Sequence, residues 1–205
     1  MKMKSVITRE LINKSYTYSQ YKELVSQLIT DKKTTGNTQS ENYIAFTKLN
    51  AERVKRIEKT SMIDDDVKNI FEAIEKDLIF LVIAEAWCGD VAQNLPVIEK
   101  LVRLNPKLEL RIILRDENDD VMQQFLTNGG KAIPVCLIID KNDLTVLAKW
   151  GPRPIPAQEI MRQHKQNPVG SYDEASKKIQ LWYAGDKGRA TGAELSGLLK
   201  SLMLD

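Results

Sequence analysis

The stretch from Leu78 to Val91 restricts the fold more than any other part of the 205-residue chain. Leu78-Ile79-Phe80-Leu81-Val82-Ile83-Ala84 is an unbroken apolar run with the length of a strand buried on both faces. It leads through Glu85-Ala86-Trp87 to Cys88-Gly89-Asp90-Val91. Beyond that point Val91, Leu95, Ile98 and Leu101 share one face of a helix expected to run to about Leu104. A buried strand therefore delivers a cysteine to the start of a helix, where free backbone N–H groups and the positive helix end favour a thiolate.

The flanking pattern supplies the rest of a sheet. Val67, Ile70, Phe71 and Ile74 predict a helix over 64–76, and Leu108 to Leu114 a second strand. Asn118 to Thr127 predicts a helix closed by Asn128-Gly129-Gly130, which reads as a C-cap. Pro134 to Ile139 and Leu144 to Lys149 predict strands joined by the turn Asp140-Lys141-Asn142-Asp143. The order β-α-β-α-β-β predicts an α/β fold with a four-stranded mixed sheet and helices on both sides. The helical crossovers are expected to give parallel pairs and the last pair to be antiparallel.

Both ends read as helical. Tyr18, Tyr21, Leu24, Val25 and Leu28 mark one N-terminal helix, and Tyr43 to Ile57 a second, with a polar loop over 31–40 between them and Ser40 as its N-cap. After the proline-rich Trp150–Pro156, helical patterning resumes over 157–166, 172–183 and 191–204. The expected organisation is a helical extension over 1–60, a sheet domain over 61–166, and a helical extension over 167–205 packed on the same domain.

Charge and cysteine content narrow the chemistry. Net charge is +2, with 12 Lys/Arg against 6 Asp/Glu in residues 1–60 and 18 against 22 in the remainder. The basic residues are scattered, as on a solvated helix surface, so no nucleic-acid partner is expected. The longest apolar run is too short for a bilayer, and the first ten residues lack the apolar core of a secretory signal, so no membrane association and a cytoplasmic location are expected. Two cysteines 48 positions apart and the single His164 leave no metal framework. Asp116-Glu117-Asn118-Asp119-Asp120 lacks calcium-loop spacing and reads as a helix start.

Four features in order resemble the thioredoxin superfamily over residues 64–166: Trp87-Cys88-Gly89 at a strand-to-helix junction, Pro96 eight residues after the cysteine, Ile133-Pro134 opening a strand, and Gly151 after the last strand. Glu85-Ala86-Trp87-Cys88-Gly89-Asp90, Arg115-Asp116-Glu117-Asn118, Asn128-Gly129-Gly130 and Trp150-Gly151-Pro152-Arg153-Pro154 together resemble a bacterial group of thioredoxin family proteins along nearly the whole chain. The resemblance implies a thioredoxin-like fold, a role in cell redox homeostasis, and a cis Ile133–Pro134 bond whose loop lies against the cysteine. It also implies roles for particular residues. Cys88 would be the nucleophile, Gly89 and Asp90 the helix N-terminus, Trp87 a shield on one side, and Ile133-Pro134 the backbone that pairs with substrate.

Two departures limit the inheritance. Val91 stands where the family has its resolving cysteine, and Val82 where it buries an acid. With the dithiol cycle missing, what remains resembles the monothiol branch, an oxidoreductase type that exchanges disulfides through one cysteine with glutathione or a related small thiol as co-substrate. The expected partners are protein or small-molecule thiols and disulfides. A non-catalytic binding module that uses the Pro134 groove for a partner stands as the alternative. An iron–sulfur carrier using Cys88 with glutathione across a dimer is disfavoured by the residues that follow the cysteine.

A helix end lowers a thiol pKa of about 8.5 by roughly one unit. Asp90, and Glu85 with it, would oppose this by like charge, and no Lys or Arg adjoins Cys88 in sequence. The expectation is a moderately activated thiol. Cys136 lies two residues beyond Pro134 in an apolar strand, so core packing is expected of it, not a disulfide with Cys88. Trp182-Tyr183 is likewise expected in the core.

Overall fold

A computed structural model describes residues 6–168 and 170–204. Strand β1 (Leu78–Ala84) is buried at every position, as its continuous apolar sequence demands. It lies parallel to β2 (Leu108–Leu114), with Leu78 opposite Leu108 and Ala84 opposite Leu114. On its other side it runs antiparallel to β3 (Val135–Asp140), with Val82 opposite Cys136. Strand β4 (Val146–Trp150) pairs antiparallel with β3, and the sheet order is β2-β1-β3-β4. This is the α/β architecture expected of the sequence: a mixed four-stranded sheet between helices.

Nine helices are present among the described residues. Three precede the sheet's first helix: α1 (Arg9–Lys14), α2 (Tyr18–Thr30) and α3 (Glu41–Thr60), followed by α4 (Asp65–Glu72). Helix α1 was not expected, because six residues are too few to show a period. Thr17 and Gln20 form a capping box at α2, and the Ser40 hydroxyl accepts from the Tyr43 N–H at the start of α3. Between α1 and α2, Tyr16 exchanges two backbone hydrogen bonds with Ile112 (2.8 and 2.9 Å), occupying part of the β2 edge.

Helix α5 (Gly89–Val102) crosses between β1 and β2 and contains Pro96. It is buried over most of its length, since α3 lies along it and α9 (Arg189–Leu204) packs on both α4 and α5. Leu195 and Leu199 of α9 are fully buried in the main core. Between β4 and α9, α7 (Ile155–Gln166) and α8 (Tyr172–Asp186) pack on each other. Ala157, Met161, Ala175, Ile179 and Tyr183 give this hairpin a small apolar core separate from the main one. Glycines at positive φ stand at either end of it, Gly151 (φ 117°) and Gly188 (φ 84°).

Four expectations are corrected. The helix predicted over 118–127 is a four-residue turn of helix, α6 (Asp119–Met122). The supposed C-cap is a tight turn in which Thr127 and Gly130 exchange two 2.9 Å backbone bonds around Asn128 (φ 50°) and Gly129 (φ 77°). Asn-Gly has a second use as the two-residue turn of a hairpin, and that use prevails here. Because α6 is too short to carry the chain back along the sheet, β3 starts at the end where β2 finishes. It therefore runs antiparallel to β1, not parallel as a full crossover would give. Finally, β4 begins two residues later than predicted, because Leu144 (φ 63°) belongs to the turn. Among the described residues no helix is long and apolar enough to cross a membrane.

Candidate functional site

Cys88 is the N-cap of α5, with extended backbone (φ −81°, ψ 119°). The β1 strand fixes its position from one side and the buried helix from the other. Its thiol donates to the Ile133 carbonyl at 3.4 Å. The next bond, Ile133–Pro134, is cis, and Pro134 leads into β3. A side chain at Gly151 would overlap the Pro134 carbonyl oxygen, so only glycine lets the end of β4 close over this loop. Cys88, Gly89, Asp90, Ile133 and Pro134 thus meet in one place, and Trp87 adjoins them.

Trp87 is sandwiched. Tyr43 of α3 stacks on its ring at 4.6 Å, and the Arg115 guanidinium lies 4.8 Å from the ring centroid. Arg115 is held in turn by Asp116 at 2.8 Å. Glu85, fully buried, accepts the Asp116 N–H at 2.9 Å, and burial pushes its acid up. The Ala86 N–H and carbonyl are taken by Thr35 (2.8 Å) and Asn50 (2.9 Å). Residues from the N-terminal segment thereby hold the strand-to-helix corner.

The thiol departs from expectation. Cys88 is only 9% exposed, and its pKa is pushed up to about 12, first by burial and then by the Asp90 charge. The Val91 and Asp90 amides and the Arg153 charge pull the other way and do not prevail. A helix end acts on a thiolate by about a unit, whereas loss of solvent acts by several. The expected moderately activated thiol is thus a masked one.

Asp90 lies in the first turn of α5, as expected, but it is buried and paired. It is 7% exposed, accepts from Arg153 Nε at 2.8 Å and from the Tyr183 hydroxyl at 3.1 Å. Asn94 donates to the Tyr183 oxygen (2.9 Å) and accepts from Thr191 (2.6 Å). A polar chain therefore runs Arg153–Asp90–Tyr183–Asn94–Thr191 behind the cysteine, joining α5, α8, α9 and the β4–α7 connection. A second contact, Gln93 to Gln180 at 2.7 Å, lays α8 on α5. Tyr183 is thus core, as its sequence neighbourhood suggested, but its hydroxyl belongs to the site. Arg153 appeared in the Trp150–Pro154 motif without a role. The separation of Asp90 and Arg153 along the chain left no local signal of their pairing.

Cys136 lies fully buried in β3 opposite Val82, and both thiols are free. Burial pushes the Cys136 thiol far up. Val91, at the resolving position, is 2% exposed. Among the described residues no three His, Cys, Asp or Glu are grouped to hold a metal.

The Asp90 charge can be tested directly. Asp90→Asn should lower the Cys88 pKa by about one unit, because it removes the second-largest cause of the rise and leaves Arg153 in place. It should also cost about 1–3 kcal/mol, since Arg153 loses a buried ionic partner. The ultraviolet absorbance of the thiolate against pH, with Cys88→Ser as blank, reads the shift; a rise in pKa would show Asp90 acting as something other than an opposing charge.

Comparison with known proteins agrees with the geometry. A family model described as thioredoxin matches residues 36–167. No curated protein matches at a significant level. Two solved structures share the fold. One is a protein of unknown function from Pseudomonas aeruginosa (TM-score 0.57, 19% identity, covering 91% of this chain and 99% of that one). The other is a crystallised HIV epitope scaffold (TM-score 0.56, 20% identity, with coverage of 91% and 99%).

Proposed function

The chain belongs to the thioredoxin family, and on that premise we propose that it is a thiol–disulfide exchange protein with a single nucleophile, Cys88, held in reserve beneath the α7–α8 hairpin. The observation that carries this reading is the placement of Cys88. Its sulfur sits at the N-terminus of a buried helix, faces the Asp90 and Val91 amides, and touches the Ile133 carbonyl. Those amides stabilise a thiolate once solvent or substrate reaches it. In the exchange step the Cys88 thiolate attacks one sulfur of a disulfide. A Cys88 S–S bond forms as the substrate S–S bond breaks, and the departing thiolate takes up the proton that Cys88 gave up. A second thiol, such as glutathione, then releases Cys88 by the same step in reverse. Val91 offers no internal release.

The cover is built to move as a unit. The hairpin has its own apolar core and glycines at positive φ at both ends. It meets α5 through the hydrogen bonds of Gln180 and Tyr183. Such contacts exchange for water at a net cost of about 1 kcal/mol each.

Oxidised glutathione should form one mixed disulfide per native chain, on Cys88, visible by intact mass and absent from Cys88→Ser. The unmodified protein should reduce insulin poorly, and Val91→Cys should add measurable reduction. Thioredoxin-like insulin turnover by the unmodified protein overturns the monothiol assignment. A second reading, a non-catalytic module that binds a partner at the Pro134 groove, is favoured by the burial of Cys88 and its bond to Ile133. Under that reading no glutathione adduct forms on the native chain, and Cys88→Ser leaves partner binding unchanged.

A further inference from the structure

Resting on that reading of Cys88, we infer that the mouth of the thiol is an anion subsite built on Arg53, which makes disulfides bearing a carboxylate near the sulfur the preferred substrates. Gly89, next to the cysteine, exposes backbone to two side chains from different elements. A Cβ placed there would lie 3.1 Å from Arg53 Nη1 and 3.1 Å from Gln180 Nε2. Both groups are N–H donors, so what converges beside the thiol is a pair of donors on a helix N-terminus.

The arginine is not neutralised. Arg53 donates to Asn50 Oδ1 at 2.8 Å, and among the described residues no carboxylate forms an ion pair with it. Asp90, the acid whose charge it feels, is held by Arg153 at 2.8 Å. Arg56 adds a like charge from the same helix. A half-buried guanidinium with most of its five N–H donors unused matches a carboxylate in charge and in planar fork geometry.

Gln180 adds a neutral donor that moves with the hairpin. Gln180 Oε1 accepts the Gln93 bond that lays α8 on α5, so Gln180 Nε2 can donate to an arriving carboxylate beside Arg53 without breaking that contact. The carboxylate anchors the substrate next to Cys88, and once its disulfide sulfur reaches the thiol, exchange proceeds by the balanced step described above. A cationic disulfide meets Arg53 and Arg56 and gains nothing from the Gln180 amide.

Three small disulfides of similar size separate these cases: dithiodipropionate (anionic), hydroxyethyl disulfide (neutral) and cystamine (cationic). Each rate of adduct formation on Cys88 is divided by that of free cysteine at the same pH, which removes leaving-group differences. The normalised anionic-to-cationic ratio should be about tenfold or more at low ionic strength and fall as salt is added. Arg53→Gln should bring the ratio close to one, while Arg53→Lys retains a preference of the same sign. Rates independent of charge, a ratio insensitive to salt, or a preference that survives Arg53→Gln overturn the subsite while leaving exchange at Cys88 intact. Absence of adduct with all three reagents overturns the exchange reading and the subsite with it.

Discussion

Replacing Arg153 with alanine should destabilise the protein by about 3–5 kcal/mol at neutral pH, more than any other single change at the site. The side chains of Asp90 and Arg153 are 10% and 20% exposed, so removing the guanidinium strands a carboxylate that water barely reaches. The loss should also depend on pH with a definite sign. Burial already holds the Asp90 acid above its ordinary value despite Arg153 and Tyr183. A raised acid binds its proton more tightly in the native state. Its contribution to stability is therefore full below the unfolded pKa and is lost as pH rises through the folded one. Deleting Arg153 raises the folded pKa further and widens that window upward.

The Arg153→Ala penalty should therefore be largest at neutral pH and above. It should shrink as pH falls through the raised folded pKa of Asp90, first that of the variant and then that of the unmodified protein, and level off below them, where Asp90 is neutral in both native proteins and only packing and hydrogen bonds are missing. Adding Asp90→Asn should recover a large part of the neutral-pH loss, since the two sites share one interaction. Denaturant midpoints for the four proteins across the pH range give the result. A penalty that stays constant with pH, or double-variant losses that simply add, would show that the pair is not coupled.

This pair marks where the sequence stops being informative. The β1–α5 corner was legible because seven consecutive apolar residues have the length of a strand buried on both faces, and the apolar period that follows Cys88-Gly89 is that of a helix. Ser40 was legible as a cap because its signal is local. The antiparallel entry of β3 was not, since it turns on whether 118–127 is a helix long enough to cross the sheet, and Asn-Gly serves helix ends and hairpins alike.

The masked state of Cys88 was hidden for a different reason. Arg53, Arg153, Gln180 and Tyr183 lie 35 to 95 positions from the cysteine, and in the sequence each reads as an ordinary helix-surface or loop residue. Their convergence depends on α3 and α8 both docking across the start of α5, a tertiary fact with no periodic signature. Thiol acidity follows from that burial, which is why a reasoned local expectation of activation had the wrong sign.

Alkylation of Cys88 by iodoacetamide at neutral pH should be at least about 100-fold slower in the native protein than in the unfolded chain. Burial pushes the Cys88 pKa up to about 12, roughly three units above an ordinary thiol, which lowers the thiolate fraction at neutral pH by about three powers of ten. A more basic thiolate is a better nucleophile, with a slope of about 0.4–0.5, which returns between one and two of those powers. The remainder is the acid–base part alone, and poor access to a sulfur that is 9% exposed adds to it. The rate should climb with pH through the alkaline range with no plateau near the ordinary thiol pKa. Gln180→Ala combined with Tyr183→Phe deletes the three hydrogen bonds from α8 to Gln93, Asn94 and Asp90. At about 1 kcal/mol each, their loss should speed alkylation by tenfold or more while the main core, built on β1 and α5, stays folded. Peptide mapping must place the label on Cys88, since Cys136 is buried in β3 and should stay unlabelled. A native rate equal to that of the unfolded chain would show the thiol to be open and acidic. A slow rate unchanged in the double variant would mean that the α7–α8 hairpin is not what covers it.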